Sequence, residues 1–381
     1  VAWMALSVDI LRLTGDAKVA DEVECSLWNQ CLGAQHPSGN WCTYDTPLNG
    51  VRAPSYHQIN FQYRPGTPEL NCCSVNAPRG LGMLVDWAVL QDGDDVVLNY
   101  YGPCEFTITR ENNAKLTLRQ ETAYPVDGVV NIVLEPETPE TFTLKLRIPT
   151  WSTHTEVLIN DFALAEAIEP GTYLEIKDEW KAGDTVTLTL DMSARVLTGA
   201  PPDRFGNIAI STGPLLLAYD AFFNDTEIAD IPKIDADVLA LETVPVEMEP
   251  QLGRFAPMGL WRISQGDQAL MLCDFGSAGA HGTEYAAWLP AAKPKPLPVS
   301  LRAPQEDVEG APGTLLFAWE AYTHPEVRYR LLVARDAGFT QVVYEKGDLS
   351  QSFVVATDLP ADAGEYFWKV LSENPNGAVE N

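Results

Sequence analysis

The spacing of apolar residues changes once along the chain, near Val96. Before that point, apolar residues such as Trp3, Leu6 and Ile10 recur every three or four positions, which places them on one face of a helix. Beyond it, apolar and polar residues alternate in short runs separated by Pro, Gly, Asn and Asp, as in half-buried strands. The sequence therefore predicts a helical segment followed by a long, mainly β part.

Three helices are predicted in the first part. The first ends at Gly15, and Asp16 caps a second that continues to Cys31, so the two form an αα-hairpin. The third begins near Cys73 and extends to Asp92. Residues 33–71, before the third helix, are rich in Pro, Gly and aromatic residues, and a loop of this length is typically functional when it is ordered.

The β-rich part is predicted to contain several units. Short alternating runs between Val96 and Ser211 predict a β-sandwich, and residues 223–292 are less regular but still strand-prone. Prolines stiffen residues 293–304 into an extended linker. The predicted division is residues 1–95, 96–222, 223–292, the linker 293–304, and 305–381.

The C-terminal part resembles a fibronectin type III domain. It contains about five predicted strands with Trp319 near the centre of one of them. Leu359-Pro360 followed by Tyr366 resembles the tyrosine corner of that domain. The final strand is expected beyond Asn381, so we expect this sandwich to be truncated.

Composition excludes several classes of protein. The chain carries 25 Lys and Arg against 53 Asp and Glu, a formal charge of −28, which repels nucleic-acid phosphates. No apolar run reaches the roughly 20 residues that a membrane-spanning helix needs. Seven cysteines in 381 residues are too few for a disulfide scaffold, and their number is odd.

Two adjacent cysteines, Cys72 and Cys73, form the candidate site. Neighbouring cysteines bridge each other only with strain, so free thiols or metal ligands are the more natural interpretation. Both lie at the predicted start of the third helix, whose positive end favours the thiolate, and thiolates suit zinc. The alternative is that both are ordinary buried core cysteines.

Several segments accompany the cysteines in a fixed order. They are the helix 17–29, Tyr44-Asp45-Thr46-Pro47-Leu48, Leu146-Arg147-Ile148-Pro149-Thr150-Trp151, Glu179-Trp180-Lys181-Ala182-Gly183-Asp184 and Gly213-Pro214-Leu215. Together with Cys72-Cys73 they resemble the β-L-arabinofuranosidase family of glycoside hydrolases, family 127 and its relatives. The resemblance covers about residues 1–290. One departure is Ser74, where many relatives have proline.

The resemblance implies a fold and a mechanism. Residues 1–95 would be the C-terminal helices of an (α/α) barrel catalytic domain, followed by β-sandwich domains. The mechanism would be retaining, with Cys72 as a zinc-bound nucleophile and Cys73 as a second zinc ligand. Two further ligands, a glutamate and a cysteine, and a glutamate acid/base are expected upstream of Val1. The chain alone is therefore expected to be inactive.

Three residues are candidates for binding the substrate, an arabinose-containing glycan. Glu24 and Tyr44 match positions of the family, and His57 lies in the long loop where it can contact a sugar. A glutamate on an amphipathic helix is equally often just solvated. A surface histidine without such a role is the more frequent case.

Two other functions compete with the hydrolase. One is a carbohydrate-binding or scaffolding protein in which the cysteines are structural, and the other is a zinc-stabilised helical module without catalysis. Free thiols favour a reducing compartment, whereas a fibronectin-like module on a sugar-active enzyme favours export. The sequence leaves the compartment, the exact sugar and the oligomeric state open.

Overall fold

A computed structural model describes residues 1–36, 39, 42–53, 72–110, 113–198, 205–246, 256–265, 268–304, 314–320, 326–360 and 364–381. The chain forms two compact units. The first contains Val1–Arg195, Ile210–Ile231 and Leu239–Ala287, and the second contains Val196–Ala209, Pro232–Val238 and Trp288–Asn381. Two short segments join the C-terminal unit because Ile208 pairs with Leu289 and Ile234 bridges Ala291.

The first unit begins with short helices. They are α1 (Ala2–Thr14), α2 (Ala17–Cys25), a π-helix (Ser26–Cys31), α3 (Leu32–Ala34), α4 (Cys73–Gly82) and α5 (Leu84–Trp87), with strand β1 (Asn49–Val51) between α3 and α4. Gly15 ends α1 with a φ of 63°, and the Asp16 carboxylate accepts a hydrogen bond from the Lys18 amide. These two residues confirm the predicted hairpin. Among the described residues, no helix is both long and apolar enough to cross a membrane.

The third predicted helix is shorter than expected. It ends at Trp87, and β2 (Val89–Asp92) pairs with β3 (Asp95–Leu98) across a turn in which Gly93 has a φ of +61°. The prediction of helix to Asp92 was wrong, because the two-residue turn Gly93-Asp94 closes a hairpin that pairs these apolar residues as strands.

Two sheets form the sandwich of the first unit. The strands are β2, β3, β4 (Cys104–Thr109), β5 (Lys115–Thr122), β6 (Val129–Pro136), β7 (Glu140–Ile148), β8 (Glu156–Ile159), β9 (Phe162–Ala163), β10 (Thr172–Trp180) and β11 (Asp184–Thr189). One sheet has the order β10-β7-β3-β2 and the other β4-β5-β6-β11-β8-β9. Alternate residues of both sheets, among them Leu118, Leu144 and Val186, are fully buried in one core, which is the burial pattern that the period of two predicts.

A further sheet of the first unit follows the sandwich. The strands between residues 195 and 286 are β12 (Arg195–Thr198), β13 (Asn207–Thr212), β14 (Leu215–Asp220), β15 (Leu241–Val244), β16 (Leu260–Gln265), β17 (Gln268–Asp274) and β18 (Glu284–Ala286). Most of β12 and the first half of β13 belong to the second unit, and the other strands belong to the first. The main order is β1-β18-β14-β17-β16-β15, and all these pairings are antiparallel. We call these six strands the platform sheet. Strand β14 pairs with β17 and β18, so strands on both sides of residue 222 share one sheet. The predicted domain division stays a prediction.

The second unit contains a two-sheet sandwich near the C-terminus. The strands of this unit are β19 (Leu289–Pro290), β20 (Ser300–Ala303), β21 (Leu315–Glu320), β22 (Arg328–Ala334), β23 (Val342–Leu349), β24 (Phe353–Ala356), β25 (Phe367–Asn374) and β26 (Gly377–Glu380). The sheets are β20-β21-β24 and β23-β22-β25-β26, and they enclose Phe317, Trp319 and Val370. Strand β20 lies within the predicted linker 293–304, and β26 pairs with β25. The linker and a final strand beyond Asn381 stay predictions.

Candidate functional site

The paired cysteines lie at the N-terminus of α4. Cys72 is the residue before the helix, and its carbonyl oxygen accepts hydrogen bonds from the Asn76 amide at 3.0 Å and from Asn76 Nδ2 at 2.9 Å. Neither cysteine forms a disulfide among the described residues; Cys72 is exposed and Cys73 is half-buried. Their sulfur atoms are 3.9 Å apart, so both can contact one ion.

The thiol of Cys73 is not activated by the helix end as the sequence suggested. Burial raises its pKa to about 11, and the hydrogen bond to Cys72 and the charges of Cys72, Cys42 and Asp45 act in the same direction. The helix dipole contributes only about 0.3–1 kcal/mol, which these effects outweigh. Cys73 is therefore protonated at neutral pH unless a cation lies beside it.

The distance between the two sulfurs fits a shared zinc ion. Tetrahedral zinc with Zn–S bonds of about 2.3 Å holds its sulfur ligands about 3.8 Å apart, close to the 3.9 Å between Cys72 Sγ and Cys73 Sγ. Over the ranges that the structure describes, no group of three or more His, Cys, Asp and Glu side chains is placed to hold a metal ion. The described chain thus offers two of the four ligands of a structural-type zinc site.

Close packing fixes the helix that carries the cysteines. A Cβ atom added at Gly80 of α4 would overlap Cys31 Sγ of the π-helix, so the backbone of α4 packs directly against the Cys31 side chain. The π-helix is held in turn by Asn29, whose Nδ2 donates to the Pro214 carbonyl at 2.8 Å and whose Oδ1 accepts from the Leu216 amide at 2.8 Å. The segment around Pro214 thereby serves as an anchor for the helices.

Glu24 is buried inside this assembly. Tyr124 donates a hydrogen bond to Oε1 at 2.7 Å, and Oε2 lies 2.8 Å from Arg147 Nη2. Burial raises the pKa of the Glu24 carboxyl, while Arg147 and Tyr124 oppose the shift. The side chain is 0% exposed, so neither oxygen is open to a sugar hydroxyl. The substrate-binding role of Glu24 stays a prediction, and it requires this ion pair to open.

Arg147 is the centre of a buried network that sequence reasoning missed. It lies on β7 with its side chain 0% exposed, and it also contacts Asp21 through Nη1 and the Asn99 carbonyl through Nε at 2.9 Å. Asp21 and Glu24 both belong to α2. The network therefore fastens α2 to the sandwich, which accounts for an arginine in the Leu146-Arg147-Ile148 segment. No sequence signal identifies it, because alternation alone directs Arg147 to solvent.

Tyr44 and Asp45 lie on the loop 42–53, which we call the site loop. Tyr44 is 39% exposed, and Asp45 is close enough to Cys73 to raise the pKa of its thiol. The Thr43 hydroxyl donates to the Asp45 carbonyl and contacts the Ala53 carbonyl at 2.6 Å, which closes the loop. The structure thus brings this loop beside the cysteines. Contact of Tyr44 with substrate stays a prediction, and His57 lies outside the described residues.

Two family models match the first half of the chain. Residues 1–83 match the model described as "Beta-L-arabinofuranosidase, GH127 catalytic domain", and residues 95–192 match "Beta-L-arabinofuranosidase, GH127 middle domain". No curated protein matches the chain. The helices with their paired cysteines and the sandwich thus correspond to the catalytic and middle domains of a glycoside hydrolase. Residues 1–83 and 95–192 therefore match glycoside hydrolase family 127.

Solved structures share the fold of this chain. One, titled a glycoside hydrolase, is 24% identical with a TM-score of 0.63 and covers 76% of this chain and 51% of its own. A GH127 β-L-arabinofuranosidase from Geobacillus stearothermophilus T6 is 23% identical with a TM-score of 0.62 and covers 76% of this chain and 49% of its own. At these identities the likeness shows the fold alone. The chain spans about half the length of these proteins.

Proposed function

We propose that this chain is part of a retaining glycoside hydrolase that cleaves β-L-arabinofuranosides or related glycans, with Cys72 as nucleophile. The observation that carries the proposal is the pair of reduced thiols, with sulfurs 3.9 Å apart, at the start of a helix in the segment that matches the catalytic-domain model. Cys72 is the exposed member of the pair, so it is the one that a substrate can reach.

In this proposal Cys72 and Cys73 also bind one zinc ion. The metal would lower the thiol pKa values and stabilise the thiolate as a nucleophile and as a leaving group. The half-buried Cys73 would serve as the permanent ligand. Burial and neighbouring negative charge raise the pKa of Cys73, so zinc binding at this position would have to displace the thiol proton.

The reaction needs one carboxyl group besides Cys72. Cys72 Sγ forms a bond to the anomeric carbon while the glycosidic C–O bond breaks and the leaving oxygen takes a proton from a carboxylic acid. Water then replaces the sulfur and returns its proton to the same carboxylate. We place this acid/base, and the two remaining zinc ligands, upstream of Val1, so residues 1–381 alone are inactive in this proposal.

We further propose that the C-terminal sandwich of the second unit is a fibronectin type III-like module. The arrangement of three strands facing four supports this, as does the Tyr366 hydroxyl, which donates to the Pro360 carbonyl at 3.1 Å. Such a module would act as a spacer or binding element beside the catalytic part.

The test uses the full-length gene product and the variant Cys72→Ser. We expect bound zinc and hydrolysis of an aryl β-L-arabinofuranoside in the wild type, and loss of hydrolysis in the variant. Cys104→Ser is the matched control, because Cys104 Sγ donates to the Gly102 carbonyl and a serine hydroxyl can do the same.

Each outcome decides one part of the proposal. Zinc without furanoside cleavage would retain the metal site and reject the substrate. Absence of zinc, with activity or sugar binding independent of Cys72, would make the cysteines structural and favour a carbohydrate-binding protein. Measurable turnover by residues 1–381 alone would contradict the placement of the acid/base upstream.

A further inference from the structure

The platform sheet contacts the site loop at several points. Strand β1 of the loop pairs with β18, so that Asn49 faces Ala286 and Val51 faces Glu284. The Tyr285 hydroxyl donates to the Pro47 carbonyl at 2.6 Å, and the Ala287 amide donates to the Leu48 carbonyl at 2.8 Å. The loop is therefore built as an edge of this sheet.

Arg52 makes the charged contact between the site loop and the platform sheet. Its Nε donates to the Ala278 carbonyl at 2.8 Å and its Nη2 to the Phe275 carbonyl at 3.0 Å. The residue is 6% exposed, and its guanidinium group lies 5.7 Å from the centre of the Tyr285 ring. A planar guanidinium group can bond two carbonyls at once, which a lysine ammonium group cannot reproduce in the same geometry.

Two buried carboxylates stabilise the turn at residues 275–279, whose carbonyl groups accept the hydrogen bonds from Arg52. Asp274 Oδ2 accepts from the Ser277 amide at 2.9 Å, and Asp220 Oδ2 accepts from the Gly279 amide at 2.8 Å. Both aspartates are 0% exposed. Buried carboxylates that receive backbone amides make a rigid turn, so Arg52 has a fixed partner rather than a mobile surface loop.

The other end of the site loop packs toward the cysteines. The Thr43 amide donates to the Ala34 carbonyl at 2.7 Å, next to α3. A Cβ atom added at Gly33 of α3 would lie 3.2 Å from the Phe275 ring and 3.5 Å from the Thr46 methyl group. The loop is therefore confined between the platform sheet and the helices that support α4.

We propose that Arg52 is a positioning residue of the cysteine site, and that the platform sheet serves to hold Tyr44 and Asp45 beside Cys72 and Cys73. This assigns a function to strands β14 to β18, which lie outside both matched family models. The catalytic part of the inference rests on the proposed glycosidase function. The mechanical part, the clamping of the loop, does not.

The mechanical part is tested by hydrogen–deuterium exchange in the 381-residue chain. In Arg52→Ala and Arg52→Lys we expect amides of residues 42–53 to exchange about tenfold faster or more, because hydrogen bonds from a charged donor are lost. The amide exchange rates of strands β5 and β6 should be the same in the variants as in the wild type. Arg262→Ala is the matched control, because Arg262 lies on β16 and reaches only the exposed Glu242.

The catalytic part is tested in the full-length protein. We expect Arg52→Ala to lower kcat/KM about 100-fold through kcat, the effect of misplaced reacting groups, with zinc content unchanged. Added guanidinium ion should restore part of the rate to Arg52→Ala, which a purely structural role would not allow. Tyr285→Phe, which removes the hydroxyl that donates to the Pro47 carbonyl and keeps the ring, should show a smaller loss and guards against misfolding of the arginine variants.

Three results would overturn the proposal. The first is that amides of residues 42–53 exchange in Arg52→Ala at the same rate as in the wild type. The second is that kcat/KM of Arg52→Ala is unchanged. The third is that its activity falls in proportion to the folded fraction and is not restored by guanidinium ion. A wild type without glycosidase activity would reject the proposed function instead, and the exchange data would still decide whether Arg52 clamps the loop.

Discussion

The helices and the sandwich of the first unit bury their apolar residues in different ways. The sandwich encloses its own core, in which Leu144 and Leu146 are 0% exposed. Helix α1 buries Met4 and Leu11 on one side but leaves Leu13 86% exposed on the other. The sandwich therefore supplies its own stability, whereas the helices close their core only on the side that faces the rest of the unit.

The junction of the helices and the sandwich contains buried charged side chains. Arg147 of the sandwich forms ion pairs with Asp21 and Glu24 of α2, and its side chain is fully buried. Such a network is strongly destabilised when one partner is removed, even where the intact network adds little net stability. We infer that the site helices depend on the sandwich through this contact.

The largest loss of stability is expected from Arg147→Ala, which removes the contact between the helices and the sandwich. Removing the guanidinium group leaves the fully buried Glu24 and the partly buried Asp21 without their cation, and should lower the free energy of unfolding by about 3–5 kcal/mol. Urea denaturation of the 381-residue chain measures this. Arg119→Ala breaks only an exposed pair with Glu121 and should cost at most about 1 kcal/mol. Equal losses in the two variants would contradict the account.

A smaller loss of stability is expected when the closed core of the sandwich is compared with the exposed side of α1. Leu144→Ala opens a cavity in the closed sandwich core and should cost about 2–5 kcal/mol. Leu13→Ala removes a side chain that is 86% exposed and should change stability by no more than about 0.5 kcal/mol. Thermal or urea unfolding of both variants provides the comparison. A large loss from Leu13→Ala would mean that the outer face of α1 is covered in solution.

The smallest effect is a pH dependence that Glu24 contributes. Burial raises its folded-state pKa, so between the unfolded value of about 4.3 and the folded value the native state binds more protons. Its contribution to stability is complete below that window and is lost as pH rises through it. The wild type should therefore lose stability relative to Glu24→Gln as pH rises through the window.

Urea titrations of both proteins across this range measure the difference. The buried Asp274, whose pKa burial also raises, is common to both proteins and cancels. A difference that stays flat, or that grows in favour of the wild type with rising pH, would show that the pairing with Arg147 and Tyr124 dominates over burial.

The local features of the fold could be predicted because they depend on neighbouring residues. The hairpin at Gly15 and Asp16 follows from capping chemistry, and the alternating runs after Val96 form the strands of the sandwich. The error at Asp92 arose because apolar residues that fit a helix period also fit a strand once Gly93 turns the chain. Predictions of this kind fail where two periods compete.

The long-range features of the site could not be predicted from the sequence. Cys72 and Cys73 are adjacent and were identified, whereas Arg52 and Arg147 contact partners more than a hundred residues away along the chain. Nothing in the local pattern distinguishes a buried arginine from a solvated one. The burial of Glu24 was missed for the same reason, because it depends on the contact between α2 and Arg147 of β7, which lies far along the chain.

The central claim is that Cys72 is a nucleophile. The most direct measurement is mass spectrometry of the full-length protein quenched during turnover of a slowly hydrolysed aryl β-L-arabinofuranoside. The account predicts a pentosyl group on the peptide that contains Cys72 and Cys73, assigned to Cys72 by fragmentation and absent from Cys72→Ser. Turnover that proceeds with the sugar attached to a carboxylate, or with no covalent adduct and full activity in Cys72→Ser, would contradict it.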